Sequence, residues 1–290
     1  MEYVLHIAIL AGVYVVLAVS LELLAGEAGL VSLCQAAFFG IGAYTSSLLM
    51  IHFGLSLIPA SALAIAMAAL LSLLVSLPSM RLRDDYFVIS TVGFQLIVFS
   101  VLNNWTDVTR GSIGLTAIPT ASAAGVFIQG RVGWACLSLT WAFCSLIFAI
   151  LLKRSPFGRV LHAIREDEVF AQSLGKNTSA CKAMVFAASA GLAGGAGALY
   201  ASYMGAINPG SFTIMDSVMI LSMVIIGGAG SLSGAVIGGL ILIVLPEALR
   251  FTNLSTAAAA NFRQIFLGGS MVLLMIFRPR GLVGNYGFRR

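Results

Sequence analysis

The chain has 290 residues, of which 59 % are hydrophobic and only 9 % charged, against about 25 % charged in ordinary soluble domains. A water-soluble fold of this size cannot hide that much apolar surface, so lipid must be the solvent for most of the chain. The formal net charge of +5 comes from Lys and Arg gathered in a few polar stretches, which is a signal of membrane topology and not a nucleic-acid footprint.

A helix crosses the hydrocarbon with about 20 apolar residues. Stretches 3–24, 35–53, 57–77 and 86–103 meet that requirement in turn. The first is preceded by no Lys or Arg and outruns a signal-peptide core, so it reads as a retained span, with Glu22 and Glu27 flanking its end. Ala28 to Leu33, just before the second span, loosely resembles Ala229 to Ser233 further on. If that likeness is a repeat, two discontinuous elements meet near the midplane; the alternative is a Gly-rich loop beside a helix.

Polar loop 104–132 follows, then span 133–152, polar loop 153–182 and span 183–203. The next apolar stretch, 216–245, is broken by the run Gly227 to Gly234, and a last span covers 261–277. Asp216 opens the broken stretch as a helix N-cap. Arg81 and Arg83, the six cations between Lys153 and Lys182, and Arg278, Arg280, Arg289 and Arg290 hold most of the basic charge. All three regions are therefore assigned to the cytoplasm, and loop 104–132 to the outside. Parity then forces 216–245 to begin and end on one side: it is a broken, re-entrant hairpin of two shorter helices. The expected fold is an all-α, polytopic integral membrane protein of about eight membrane segments, one domain over 1–290.

Catalytic signatures are missing. The chain has no Gly-x-Ser-x-Gly, no His-Glu-x-x-His and no Gly-x-Gly-x-x-Gly, and Phe170 stands where a P-loop before Gly175-Lys176 needs glycine. His6, His52 and His162 sit on separate segments, without a carboxylate at ligand spacing, and read as interfacial. Cys34, Cys136, Cys144 and Cys181 are far apart and read as small packing residues. No chain of buried carboxylates stands out, which argues against an ion-coupled pump. No metal or cofactor is expected. Gly191 with Gly195, and Gly230, Gly234 and Gly238, fall four apart, a spacing that suits close helix approach in the bundle, a subunit interface or a moving gate.

Loop 153–182 is the informative polar stretch. Ser155-Pro156 is a cap followed by a first-position proline. Phe157, Val160, Leu161 and Ile164 then recur at helical spacing, giving an amphipathic helix suited to the membrane surface. The acidic run Glu166-Asp167-Glu168 favours a second helix start, and Gly175 its end. That short helix exposes Val169, Phe170 and Leu174, so it needs a surface to rest on: a cytosolic partner, or the spans of its own chain.

Several of these segments together resemble one family. They are Gly29 to Tyr44, Leu82 to Phe87, Arg165 to Gly175, Gly191 to Gly194 with Gly197 to Tyr200, and Gly227 to Leu232. The chain resembles, over nearly its whole length, permease subunits of the branched-chain amino acid ABC importers, nearer the M-type than the H-type subunit. The resemblance implies a non-catalytic permease of the bacterial inner membrane, multi-pass, with its basic C-terminus in the cytoplasm. Implied partners are a second, H-type permease subunit, two ATP-binding-cassette ATPase subunits and a periplasmic solute-binding protein. ATP would be bound by those partners, with membrane lipid around the chain and no nucleic acid.

The family's short ATPase-coupling helix has a Glu-x-x-Ala…Gly pattern. Carried over, it assigns coupling to Glu168, Ala171, Leu174 and Gly175 within the cytoplasmic loop 153–182, with Phe170 and Cys34 departing from the residues expected. Segment position and polarity place Ser32, Gln35 and Phe38 beside the translocation path from one side, and Ser231 and Ser233 from the other. The family also contains importers of urea, short amides and other small solutes. A stand-alone passive channel is the rival reading, and a membrane-embedded transferase a remoter one.

Overall fold

Helix α1 (Glu2–Glu22) is apolar on every side, and a helix without a polar face belongs in an interior. The structure, a computed structural model, describes residues 2–79, 84–119, 122–123, 126–127, 130–250, 268–269 and 281–283. In it α1 is the central post. It is buried almost continuously from Ile9 and continues as one π-helical turn, Leu23–Glu27. Around it pack α6 (Arg131–Arg154), α9 (Thr178–Met204), α10 (Ile214–Gly227) and α11 (Leu232–Arg250).

A second group forms on the other face of α9, which carries α2 (Gln35–Phe53) and α3 (Leu57–Ser79), with α4 (Asp84–Asn104) outside them. Small residues set these crossings. A Cβ on Gly194 would meet the Ala68 Cβ at 2.6 Å, and one on Gly42 or Gly197 would run into the backbone of the facing helix. Gly191 and Gly195 likewise face Ile65 and Trp141. The four-residue glycine spacing on α9 therefore serves internal packing. At the periphery Leu70, Leu74, Ile97, Phe143 and Leu151 are more than half exposed, as side chains solvated by lipid should be.

Among the described residues seven helices are long and apolar enough to cross a membrane, and Leu232–Val244 is a shorter apolar helix. They coincide with the expected spans up to residue 245. Stretch 261–277 lies outside the described residues apart from 268–269, as do Arg81, Arg83, Arg278, Arg280, Arg289 and Arg290.

Contacts sort the helix ends into two groups. At one end Glu2 pairs with Arg131 at 2.8 Å and His6 Nδ1 lies 2.6 Å from the Tyr203 hydroxyl. The same end carries α5 (Thr106–Thr109), the two-residue strands β1 (Ser122–Ala123) and β2 (Val126–Phe127), and a backbone pairing of Leu115 with Ile207. The opposite end carries α7 (Pro156–Glu166) and α8 (Glu168–Ser173).

The stretch expected to be re-entrant is a hairpin. Helices α10 and α11 pack against each other, with Gly227 on Gly234 and Gly238 on the Met223 carbonyl. Their turn uses positive φ at Gly228 and Gly230 (109° and 89°), which costs glycine little. Leu282 and Val283 donate their amides to the carbonyls of Ile226 and Gly227 at 3.0 Å, so 281–283 sit at the α7 end. Asp216 is not the N-cap. Thr213 is, and Asp216 is the third helical residue of a capping box, accepting from the Thr213 amide at 2.9 Å. The segment before α2 shares the turn's end of the bundle and a positive-φ glycine, Gly29. It forms no comparably tight hairpin, since α1 and α2 touch little.

Candidate functional site

The polar loop folds as its capping residues dictate. Ser155 Oγ accepts from the Gly158 amide at 3.2 Å, with Pro156 opening α7. The apolar side of α7 is turned onto the bundle: Leu161 and Ile164 are buried, and Phe157 packs on the core. The membrane-surface role expected of that face is therefore corrected, because α7 spends its apolar stripe on its own chain. Asp167 caps α8 by accepting from the Phe170 amide at 2.9 Å. At the other end Gly175 (φ 76°) closes a Schellman turn, in which Gly175 donates to Gln172 and Lys176 to Ala171.

Three contacts hold α8 down, one of them from the Gln172 side-chain amide to Thr178 Oγ1 at 3.0 Å. Ala171 is buried, and Glu168 Oε2 receives a 2.7 Å bond from Lys182 Nζ on α9. Facing outward, Val169, Phe170 and Leu174 are 75 %, 59 % and 61 % exposed. The expected coupling set thus divides into anchors (Glu168, Ala171), a helix stop (Gly175) and an exposed contact (Leu174). Lys153, Arg154, Arg159, Arg165, Lys176 and Lys182 crowd the same end.

The residues expected beside a path fall in two places. Ser32, Gln35 and Phe38 are essentially unexposed. The Gln35 side-chain amide donates to Ser20 Oγ at 2.5 Å and to Ser189 Oγ at 3.2 Å, while Phe38 sits edge-on to Phe186 and beside Phe94. From there a buried polar seam continues: the Ala36 amide donates to Ser217 Oγ, Ser217 Oγ to Gln95 Oε1, and Gln95 Nε2 to the Phe212 carbonyl. Gln95, Ser189 and Ser217 were not singled out from the sequence. Their mark there is a polar side chain at mid-span, which in lipid demands a partner. Ser231 and Ser233 lie apart, bonded to each other at 2.9 Å beyond the hairpin turn.

A second group was missed altogether. Glu22 and Glu27, expected at the rim of the first span, are both fully buried. Glu27 Oε1 takes a 2.5 Å bond from Lys153 Nζ, and His162 Nε2 lies 2.7 Å from Glu27 Oε2, within ion-pair range but off the line of a hydrogen bond. Arg165 donates to the Gly26 carbonyl. Glu22 Oε1 accepts the Gly230 amide at 2.7 Å, and Lys153 Nζ also reaches the Gly230 carbonyl at 3.3 Å. The reading of His162 as a solitary interfacial residue, and of the chain as free of grouped buried carboxylates, is corrected here. A π-turn brings residues five apart onto one side, so Glu22 and Glu27 converge where an ordinary helix would part them. No cluster able to hold a metal ion occurs among the described residues.

The sequence profile of a family described as "Branched-chain amino acid transport system / permease component" matches residues 3–275. The high-affinity branched-chain amino acid transport system permease protein LivM of Escherichia coli (strain K12) is 35 % identical over 300 residues, which cover 96 % of this chain and 69 % of the relative. The probable LivM permease of Methanocaldococcus jannaschii is 27 % identical, with coverage of 94 % and 90 %. The LivH permease of Salmonella typhimurium is 26 % identical, with coverage of 95 % and 92 %. No solved structure matches the chain.

Proposed function

The chain belongs to the permease family of branched-chain amino acid transport systems and is LivM-like; from that premise we propose that it is the M-type permease subunit of an ATP-driven importer. On this reading it forms the path for branched-chain or other hydrophobic amino acids handed over by a periplasmic binding protein. A second, LivH-like permease subunit completes the membrane part. Two ATPase subunits, which bind all the ATP, dock from the cytoplasm. The basic end with α7 and α8 is then cytoplasmic, in the inner membrane, and the end with β1 and β2 faces out.

The observation that carries the reading is α8. Three large apolar side chains stand in the open, two on a six-residue helix and one at its C-cap, and the helix is firmly capped and pinned at the basic end. A helix so short holds its shape only by being anchored, and exposed apolar groups outside lipid mark a protein contact. Glu168, Ala171, Leu174 and Gly175 are the coupling residues in this proposal. Ser32, Gln35 and Phe38, with Ser231 and Ser233, border the path, which opens only when the buried seam of α1, α2 and α9 parts.

The test is reconstitution of the native complex in proteoliposomes. Uptake is expected to require ATP, and Glu168→Lys, which sets two ammonium groups against each other at Lys182, is expected to abolish solute-stimulated ATP hydrolysis while the chain still inserts. Uptake by the purified chain alone, without ATP, makes it a passive channel and overturns the reading. Competition among leucine, valine, urea and short amides for uptake identifies the solute class.

A further inference from the structure

Buried carboxylates are costly, and a membrane bundle seldom keeps them without a use. Glu22 and Glu27 have no solvent exposure, and the contacts of their π-turn fall on three separate elements. Helix α7 grips the π-turn through Arg165 on the Gly26 carbonyl and His162 beside Glu27. The last turn of α6 grips it through Lys153. The tip of the α10–α11 hairpin is held at both poles of one peptide residue: the Gly230 N–H bonds Glu22, and the Gly230 carbonyl bonds Lys153.

We propose that Glu22, Glu27 and Lys153 are positioning residues that carry displacement of α7 and α8 to the turn of the α10–α11 hairpin. The proposal rests on the importer reading, in which α8 is moved by an ATPase. Three features of the cluster suit it to transmission. It is the contact through which α7 reaches both α1 and, by way of Lys153, the hairpin. Gly230 sits at positive φ, where glycine rotates at little cost, so the tip can follow a pull. Glu22 Oε2 has no partner among the described residues, which leaves an acceptor free for a second arrangement of the same donors. Packed interfaces of this kind switch between discrete states and do not deform smoothly.

The experiment measures solute moved per ATP hydrolysed by the full complex in proteoliposomes, for wild type, Glu27→Gln, Lys153→Met, the double variant and Lys153→Arg. A static staple lowers the yield of assembled complex and leaves the ratio alone. Transmission predicts continued ATP hydrolysis with the ratio down roughly tenfold in Glu27→Gln and Lys153→Met, within the range usual for coupled sites, and recovery in Lys153→Arg. Where Glu27→Gln fails to assemble, the double variant, which removes both charges together, is read in its place. An unchanged ratio in assembled variants, or failure of every charge-removing variant to assemble, overturns the proposal. A wild-type complex that moves solute without ATP is a different result: it shows the importer reading to be wrong before any variant is considered.

Discussion

Gln35 illustrates how single residues hold this bundle. Its amide satisfies two hydroxyls on two other helices inside the packed interior, where an unpaired donor or acceptor costs about 1–3 kcal/mol. Gln35→Ala is therefore expected to lower stability by roughly that amount, seen as a reduced unfolding midpoint in detergent, and to slow uptake. Glycines give a sharper contrast. Gly42→Val drives a side chain into the Gly194 backbone, a clash in the class that costs about 1–3 kcal/mol or more, and should leave little folded protein. Gly93→Ala, where an added Cβ meets nothing within 4 Å, should be neutral in the same assay. Even the first added carbon, Cβ, collides at Gly42 and meets open space at Gly93, a difference the sequence does not show and the facing helix makes.

Helical elements follow more directly from sequence, because each span is written as a run of apolar residues of the needed length. The hairpin was legible as well: Gly227 to Gly234 interrupts a stretch too long for one crossing, and assigning the basic loops to one side requires that stretch to begin and end together. The caps of α7 and α8 were legible from Ser155-Pro156, Asp167 and Gly175. The direction in which α7 turns its apolar stripe was not, since Leu161 and Ile164 look the same whether lipid or the rest of the chain covers them. The Glu22–Glu27 cluster was illegible for two reasons. Its partners lie 126 and 208 residues away, and the π-turn that aligns the carboxylates leaves no mark in residue type. At this scale the prediction concerns α8: Val169→Ser, Phe170→Ser and Leu174→Ser together should abolish co-purification of an ATPase subunit. The permease itself should fold as before, because these side chains face outward.

Across the whole molecule, lipid solvation and small-residue packing decide which helices surround which. Apolar α1 and small-residue α9 take the interior, while α3, α4 and α6 present Leu, Ile and Phe to the membrane. In the proposed importer the spread of basic charge sets sidedness, which can be read in intact cells. With the native cysteines replaced by serine, Arg110→Cys should react with an impermeant thiol reagent added outside, and Lys176→Cys should not. The reverse pattern would invert the assigned orientation.

The strand of chain at 281–283 has a consequence for how the protein is made. Its two amides occupy carbonyls of Ile226 and Gly227 at the hairpin tip, buried backbone groups that cost about 1–3 kcal/mol each when left without a partner. While the ribosome is still short of residue 283, that tip has no such donors from its own chain. A protein cut off before Gly281 should therefore still thread its early crossings yet be cleared by membrane proteases. Supplying the missing tail as a separate peptide should protect it.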